Sequence, residues 1–234
     1  MSSPACAWAQ LLVAHGTRKQ RGVEMVGDLA QRVSSVVGQQ VHVAFVDVMG
    51  PTPTEVLQSL NEQPVVVVPA FLSRGYHVSS DIPAHVAASG HPDVTVTEAL
   101  GPGPQLVRVL ADRLIESGWR HDDSVILAGA GTSDPVARRD LHMMATWLSA
   151  TTGSRVELAF AATGTPRVAD AVATQRRCGA RRVVVASYLL SEGLFQDRLR
   201  ASGADVVTEP LGLHPGLARL IASRFRRARI PVAA

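Results

Sequence analysis

The feature that most constrains this 234-residue chain is that it repeats itself. Gly16-Thr17 recurs as Gly131-Thr132, and at the same spacing Val41 recurs as Val156, Ala44-Phe45 as Ala159-Phe160 and Pro51 as Pro166. At a slightly longer spacing Leu72-Ser73-Arg74-Gly75 recurs as Leu190-Ser191-Glu192-Gly193. At a slightly shorter one Val96-Thr97-Glu98-Ala99-Leu100-Gly101 recurs as Val207-Thr208-Glu209-Pro210-Leu211-Gly212. Blocks kept in order, with the small changes of spacing that loop insertions make, describe one structural unit used twice. The fold must therefore be one that half of the chain can build.

Within the first half, short β-branched runs alternate with stretches of helical apolar spacing. Leu11–Ala14, Val41–Val48, Val65–Leu72 and Val94–Ala99 are predicted strands, and Val23–Val37, Thr54–Leu60 and Gln105–Ile115 predicted helices. Strand–helix–strand alternation calls for a parallel sheet covered on both faces. The expected fold class is α/β, with two similar doubly wound parallel-sheet halves facing a central cleft. The halves are residues 1–118, carrying the site, and 119–234, a degenerate repeat.

The two copies differ where chemistry is at stake. His15 aligns with Ala130, Asp47 with Ala162 and His77 with Phe195. Taken singly, a histidine after a strand is more often a hydrogen-bonded loop residue, and an aspartate at a strand end is usually a cap or turn former. Their shared position argues otherwise. All three follow or close predicted strands, and in an open parallel sheet ligands bind outside the carboxyl ends of the strands. An asymmetric site needs its groups only once, whereas a structural residue would serve both copies. Two imidazoles and a carboxylate form a donor set for a divalent first-row metal. The absence of nearby thiolates disfavours a closed structural zinc site. His42, His85, His91, His121, His142 and His214 have no such support and are read as structural or solvated.

Composition closes off other classes. No apolar run approaches the ~20 residues of a membrane span, and Met1–Cys6 lacks the basic start and apolar core of a secretion signal. Two cysteines, Cys6 and Cys178, make neither a disulfide framework nor a thiolate cage, so a reducing cytoplasm is expected. A net charge of +3 with only 4% aromatics offers no base-stacking surface. The run Arg224, Arg226, Arg227, Arg229 reads as a solvated helix end, and no nucleic-acid partner is expected. Gly129-Ala130-Gly131-Thr132 lacks the third glycine of a dinucleotide fingerprint, and no P-loop or nucleophile elbow occurs.

At the candidate residues the chain resembles the sirohydrochlorin chelatases of the CbiX type, in their long form with two fused halves. Leu12-Val13-Ala14-His15-Gly16-Thr17-Arg18 looks like the family's opening strand and histidine, and Ala44-Phe45-Val46-Asp47 followed by Pro51 is similar to its second segment. Pro69-Ala70-Phe71-Leu72-Ser73-Arg74-Gly75-Tyr76-His77-Val78 with Asp81-Ile82-Pro83 resembles the third and most specific. One departure is that the family usually carries glutamate where this chain has Asp47.

The resemblance implies a cytoplasmic lyase that inserts Fe2+ or Co2+ into sirohydrochlorin, without ATP or a tightly bound cofactor, for sirohaem or cobalamin synthesis. In that reading His15 and His77 hold the metal and relay protons, Asp47 or a water completes the shell, and Arg18 and Arg74 clamp substrate carboxylates. A fused pair of halves suits a monomer. The rival readings are a non-catalytic metal or tetrapyrrole carrier and a chelatase for another tetrapyrrole.

Overall fold

The computed structural model describes residues 8–60 and 63–228. Cys6 and Arg229, considered above, lie outside the described residues. The first half runs β1 (Ala9–Ala14), α1 (Gln20–Val37), β2 (Val41–Phe45), α2 (Pro53–Ser59), β3 (Val65–Pro69), a π-helical turn (His77–Asp81) continuing into α3 (Ile82–Ser89), β4 (Val94–Val96) and α4 (Pro104–Glu116). The second runs β5 (Ser124–Gly131), α5 (Pro135–Thr152), β6 (Val156–Thr163), α6 (Val168–Arg177), β7 (Val183–Tyr188), α7 (Leu194–Arg200), β8 (Val206–Val207) and α8 (Pro215–Ala228).

Both sheets are four-stranded and parallel, ordered β2-β1-β3-β4 and β6-β5-β7-β8. The repeat thus builds the same α/β sheet twice. All six residues of β1 are buried, because the strand lies between β2 and β3 and both of its faces are covered. On one face Ala9, Leu11 and Val13 join Val65, Val67, Val56, Leu57 and Ile82 in a single core cluster. The matching cluster of the second sheet gathers Ile126, Ala128, Val183 and Val185 with Val168, Val172 and Leu199. Among the described residues, no helix is long and apolar enough to cross a membrane.

Helix ends follow their local chemistry. Thr52 and Glu55 form a reciprocal capping box at the start of α2, and these backbone and hydroxyl hydrogen bonds hold the Glu55 carboxyl below its ordinary pKa. Asp134 caps α5 by accepting from the Val136 and Ala137 N–H groups. α1 ends on Gly38 in the left-handed region, its N–H bonded to the Ser34 carbonyl.

Three predicted strands end sooner than expected, at Phe45 rather than Val48, at Pro69 rather than Leu72 and at Val96 rather than Ala99. Proline cannot donate to a ladder, which suits Pro69 to a strand terminus. Beyond Phe45 the contact with β1 persists through single bonds, Val46 N–H to the Ala14 carbonyl and Asp47 N–H to the His15 carbonyl. The π-turn and α3 were not among the predicted helices. α3 buries only Ile82, so its sequence shows no apolar stripe.

Compact packing divides the chain differently from the repeat. One unit comprises the chain up to Phe71, Tyr76–Leu100 and the chain from Ala218 onward, and the other comprises Leu72–Gly75 and Gly101–Leu217. The helix closing each repeat, α4 or α8, therefore belongs wholly or largely to the other repeat's compact unit. In the first unit, Arg226 of α8 donates to the Val36 carbonyl near the end of α1, and Arg224 meets Glu98 and the Ala99 carbonyl. In the second unit, α4 offers buried Leu106, Val107, Val109, Leu110 and Leu114. There the buried His214 accepts from the Gly216 N–H, with its Nε2 3.5 Å from Asp112 and 3.7 Å from Glu116.

One core residue stands against the pattern. Gln10 in β1 is 1% exposed, and among the described residues neither of its amide atoms has a hydrogen-bonding partner. Its counterpart in the second copy is Val125. Leaving a buried amide without partners costs about 1–3 kcal/mol. Gln10→Leu is accordingly expected to raise the unfolding free energy by a comparable amount, seen as a higher denaturant midpoint at unchanged slope. An unchanged or lower midpoint would show that the amide is satisfied.

Candidate active site

The carboxyl ends of β1, β2 and β3 deliver the three predicted residues to one rim of the first sheet. His15 directly follows β1 and is exposed. Its backbone is tied to the next segment, since its carbonyl accepts from the Asp47 N–H at 3.0 Å. This close approach explains the repeated glycine. Gly16 has φ 99°, and a Cβ there would fall 2.1 Å from the Asp47 carbonyl oxygen. Gly131, with φ 101°, would likewise bring a Cβ to 1.9 Å from the Thr163 carbonyl oxygen. The glycine is thus a packing requirement of both sheets, while the histidine before it occurs in one.

His77 opens the π-helical turn that follows β3. Its ring lies 4.5 Å from that of His15, in an edge-on arrangement. Phe71 stacks at 5.7 Å and Tyr76 meets the ring edge-on at 6.1 Å. The Nδ1 atom of His77 is 2.5 Å from Oδ2 of Asp81, one helical turn on. A carboxylate beside Nδ1 selects the tautomer with its proton there and leaves the Nε2 lone pair to ligate a metal or accept a proton.

Asp81 is the residue that sequence reasoning passed over as a site group. The same internal comparison could have found it, because at the spacing that aligns His77 with Phe195, Asp81 aligns with Leu199. Leu199 is fully buried in the second core, so imidazole and carboxylate are replaced together. Phe195 carries the Arg198 guanidinium 5.8 Å above its ring instead.

Asp47 reaches the same rim through its backbone, but its carboxylate caps its own turn, Oδ1 accepting from the Val48 N–H at 2.7 Å. Val48 has φ 72°, an uncommon state for a β-branched residue. Among the described residues, no group of three His, Cys, Asp or Glu side chains is arranged to hold a metal ion. The three-residue set expected from the sequence is therefore a pair of histidines with Asp47 turned to its own loop. The short aspartate side chain favours that local bond to the following amide.

The two arginines part company. Arg18 is exposed in the loop between His15 and α1. Arg74, expected to clamp a substrate carboxylate, gives its forked edge to the protein: Nε and Nη2 donate to the two oxygens of Asp140 at 3.1 and 2.6 Å. A sequence shows which residue can make a bidentate pair and not which carboxylate it meets. Of the other histidines, His85 bonds Thr54 and His91 the Leu60 carbonyl, while His121 packs on Trp119. An open groove of about 970 Å³ in the second unit, lined by His142, Ser149, Arg155 and Glu157 among others, contains none of the predicted site residues.

Comparison with known proteins identifies the family. The sequence model of the family described as CbiX matches the chain twice, over residues 9–117 and 124–228. A sirohydrochlorin ferrochelatase of Priestia megaterium is 26% identical over 237 residues, covering 93% of this chain and 89% of that protein. A sirohydrochlorin cobaltochelatase of the same organism is 28% identical over 202 residues, covering 81% of this chain and 66% of the other. Among solved structures, SirB from Bacillus subtilis with Fe3+ has the same fold, with a TM-score of 0.82 at 20% identity over 94% of this chain and 95% of that one. With both of its halves matched, the chain belongs to the CbiX family.

Proposed function

We propose that this protein is a sirohydrochlorin chelatase, a lyase that inserts a divalent metal into sirohydrochlorin without ATP and releases two protons. The observation that carries this reading is the pair of imidazoles 4.5 Å apart on the rim of the first sheet, one of them backed by Asp81. Insertion requires that the metal lose water and that two pyrrole nitrogens lose protons. Neutral imidazole serves both needs near neutral pH, since it ligates borderline metals and accepts protons.

His15 and His77 divide this work, holding the metal substrate and taking the pyrrole protons. Asp81, bonded to Nδ1, orients the His77 ring and keeps its Nε2 lone pair available. Asp47 or a water completes the metal shell, the former by turning its carboxylate away from the Val48 amide. Arg18 is assigned to substrate carboxylates. Arg74 is reassigned, because Asp140 already occupies its bidentate edge.

The ferrochelatase relative is matched over 93% of this chain and 89% of its own length, against 81% and 66% for the cobaltochelatase of the same organism, which supports Fe2+ as the metal and sirohaem as the product line. The setting we infer is cytoplasmic, with the fused halves acting as a monomer.

The deciding experiment is anaerobic insertion into sirohydrochlorin with Fe2+ and Co2+ compared. Many equivalents of metallated product per protein are expected, and a single equivalent would identify a carrier. Equal or faster insertion into protoporphyrin, which has fewer carboxylates, would reassign the substrate. Asp81→Asn should lower the insertion rate about 10- to 100-fold, as loss of a carboxylate behind a ligating histidine does elsewhere. Full activity in that variant would leave Asp81 without a part in the chemistry.

A further inference from the structure

The segment leading into His77 is held by a buried network that the proposed reaction does not use. Asp140, in the second turn of α5, has a side chain with no exposed surface. Its carboxylate accepts from Arg74 through the backbone N–H at 2.9 Å, Nε at 3.1 Å and Nη2 at 2.6 Å. A buried carboxylate is tolerated when a cation and hydrogen bonds compensate its lost hydration. Two residues earlier, the Leu72 carbonyl accepts from the buried Tyr188 hydroxyl at 2.7 Å. Burial, together with the charge of Asp140, pushes the Tyr188 pKa upward, so the phenol remains a donor.

The cradle is closely built. A Cβ at Gly101 would lie 2.2 Å from the Leu72 carbonyl oxygen and 2.6 Å from the Tyr188 hydroxyl, and one at Gly75 would touch the Ala137 methyl at 3.7 Å. Leu72–Gly75 accordingly group with the second compact unit although both neighbouring stretches belong to the first. The other copy of this loop is tethered in the opposite sense. There Glu192 stands for Arg74 and pairs with Arg200 of the helix that follows it, at 2.7 and 2.8 Å. In the copy bearing His77 the loop is held from α5 and β7, and there it leads, three residues after the tether, into a proposed metal-handling imidazole.

We propose that Asp140 is a positioning residue for His77, acting through Arg74, with Tyr188 fixing the start of the same loop. This rests on the reading of His15 and His77 as the metal-handling pair. The network anchors the backbone at two points and the Arg74 side chain at a third, immediately ahead of the π-helical turn in the chain. Ligand orientation of this kind is what outer partners of a metal site contribute, and their loss lowers metal affinity or activity about 10- to 100-fold.

The test is Co2+ titration of the full chain by visible absorption, with kcat and KM for sirohydrochlorin, in Asp140→Asn, Tyr188→Phe, His77→Ala and the double variant Asp140→Asn/His77→Ala. Asp140→Asn should weaken Co2+ binding roughly tenfold and lower kcat more than it alters KM. In the His77→Ala background the same change should leave the residual Co2+ affinity within about twofold, because the residue through which it acts is gone. A merely structural role would not produce that dependence on His77. Equal weakening in both backgrounds would overturn the proposal, as would a folded Asp140→Asn with wild-type affinity and kcat. If Asp140→Asn fails to fold, Tyr188→Phe, which removes one hydroxyl, is judged by the same two criteria, and its equality with wild type would be decisive against us. If His77→Ala itself leaves wild-type Co2+ binding and insertion intact, the chelatase assignment of the pair falls and this proposal falls with it.

Discussion

Alanine at His15 or at His77 should lower metal insertion about 100- to 10,000-fold, the range spanned by removal of a positioned acid–base group. The fold should survive either change. His15 is exposed and the His77 side chain is 32% exposed, so neither replacement opens a cavity in the core. Removing His77 also strips Asp81 of its imidazole, and that carboxylate is itself partly exposed and can be rehydrated. Asp47→Ala should cost less than either histidine change, since its carboxylate is engaged with the Val48 amide and joins the metal only by turning. Anaerobic initial rates, read beside thermal unfolding of each variant, separate lost chemistry from lost structure. Turnover near the wild-type rate in the double histidine variant would end the chelatase assignment.

Gly16→Ala should be among the most destabilising single changes in the chain. The residue sits at φ 99°, and its new methyl would be 2.1 Å from the Asp47 carbonyl oxygen, a distance at which the backbone must move. A left-handed backbone costs an L-residue roughly 1–2 kcal/mol, and overpacking typically adds about 1–3, so the expected loss is roughly 2–5 kcal/mol. The displacement falls on two residues of the proposed site, His15 and Asp47, so activity should drop even where the protein remains folded. Gly27→Ala provides the control. Gly27 lies inside α1 with nothing near its absent Cβ, and alanine there should stabilise by about 0.5–1 kcal/mol. Denaturant midpoints measure both, and an unshifted midpoint for Gly16→Ala would mean that the rim is far more pliable than its geometry implies.

The sheet and its strands were legible because the information is local. Val65–Val68 and Val183–Val185 are β-branched runs with no polar alternation, which marks a strand covered on both faces, and all are buried. The histidine pair was legible by comparison of the repeats, since each position names its own apolar counterpart. Asp81 was legible by the same device and was missed because the three strand ends alone were compared. The π-turn and α3 were not legible, for a helix that buries only Ile82 lacks the periodicity from which helices are read.

The sequence by itself determined the duplicated α/β plan and singled out the strand-end residues of the proposed site, because these depend on residue type and spacing along the chain. Only the tertiary structure decided the partners. It turned Arg74 to Asp140, Asp47 to the Val48 amide and His77 to both His15 and Asp81, and it assigned most of α8 to the compact unit of the opposite repeat. Charge and hydrogen-bonding capacity belong to a residue and can be read from its name. Which donor finds which acceptor depends on distances of a few ångströms between segments remote in the chain, and those are set by how helices and strands pack.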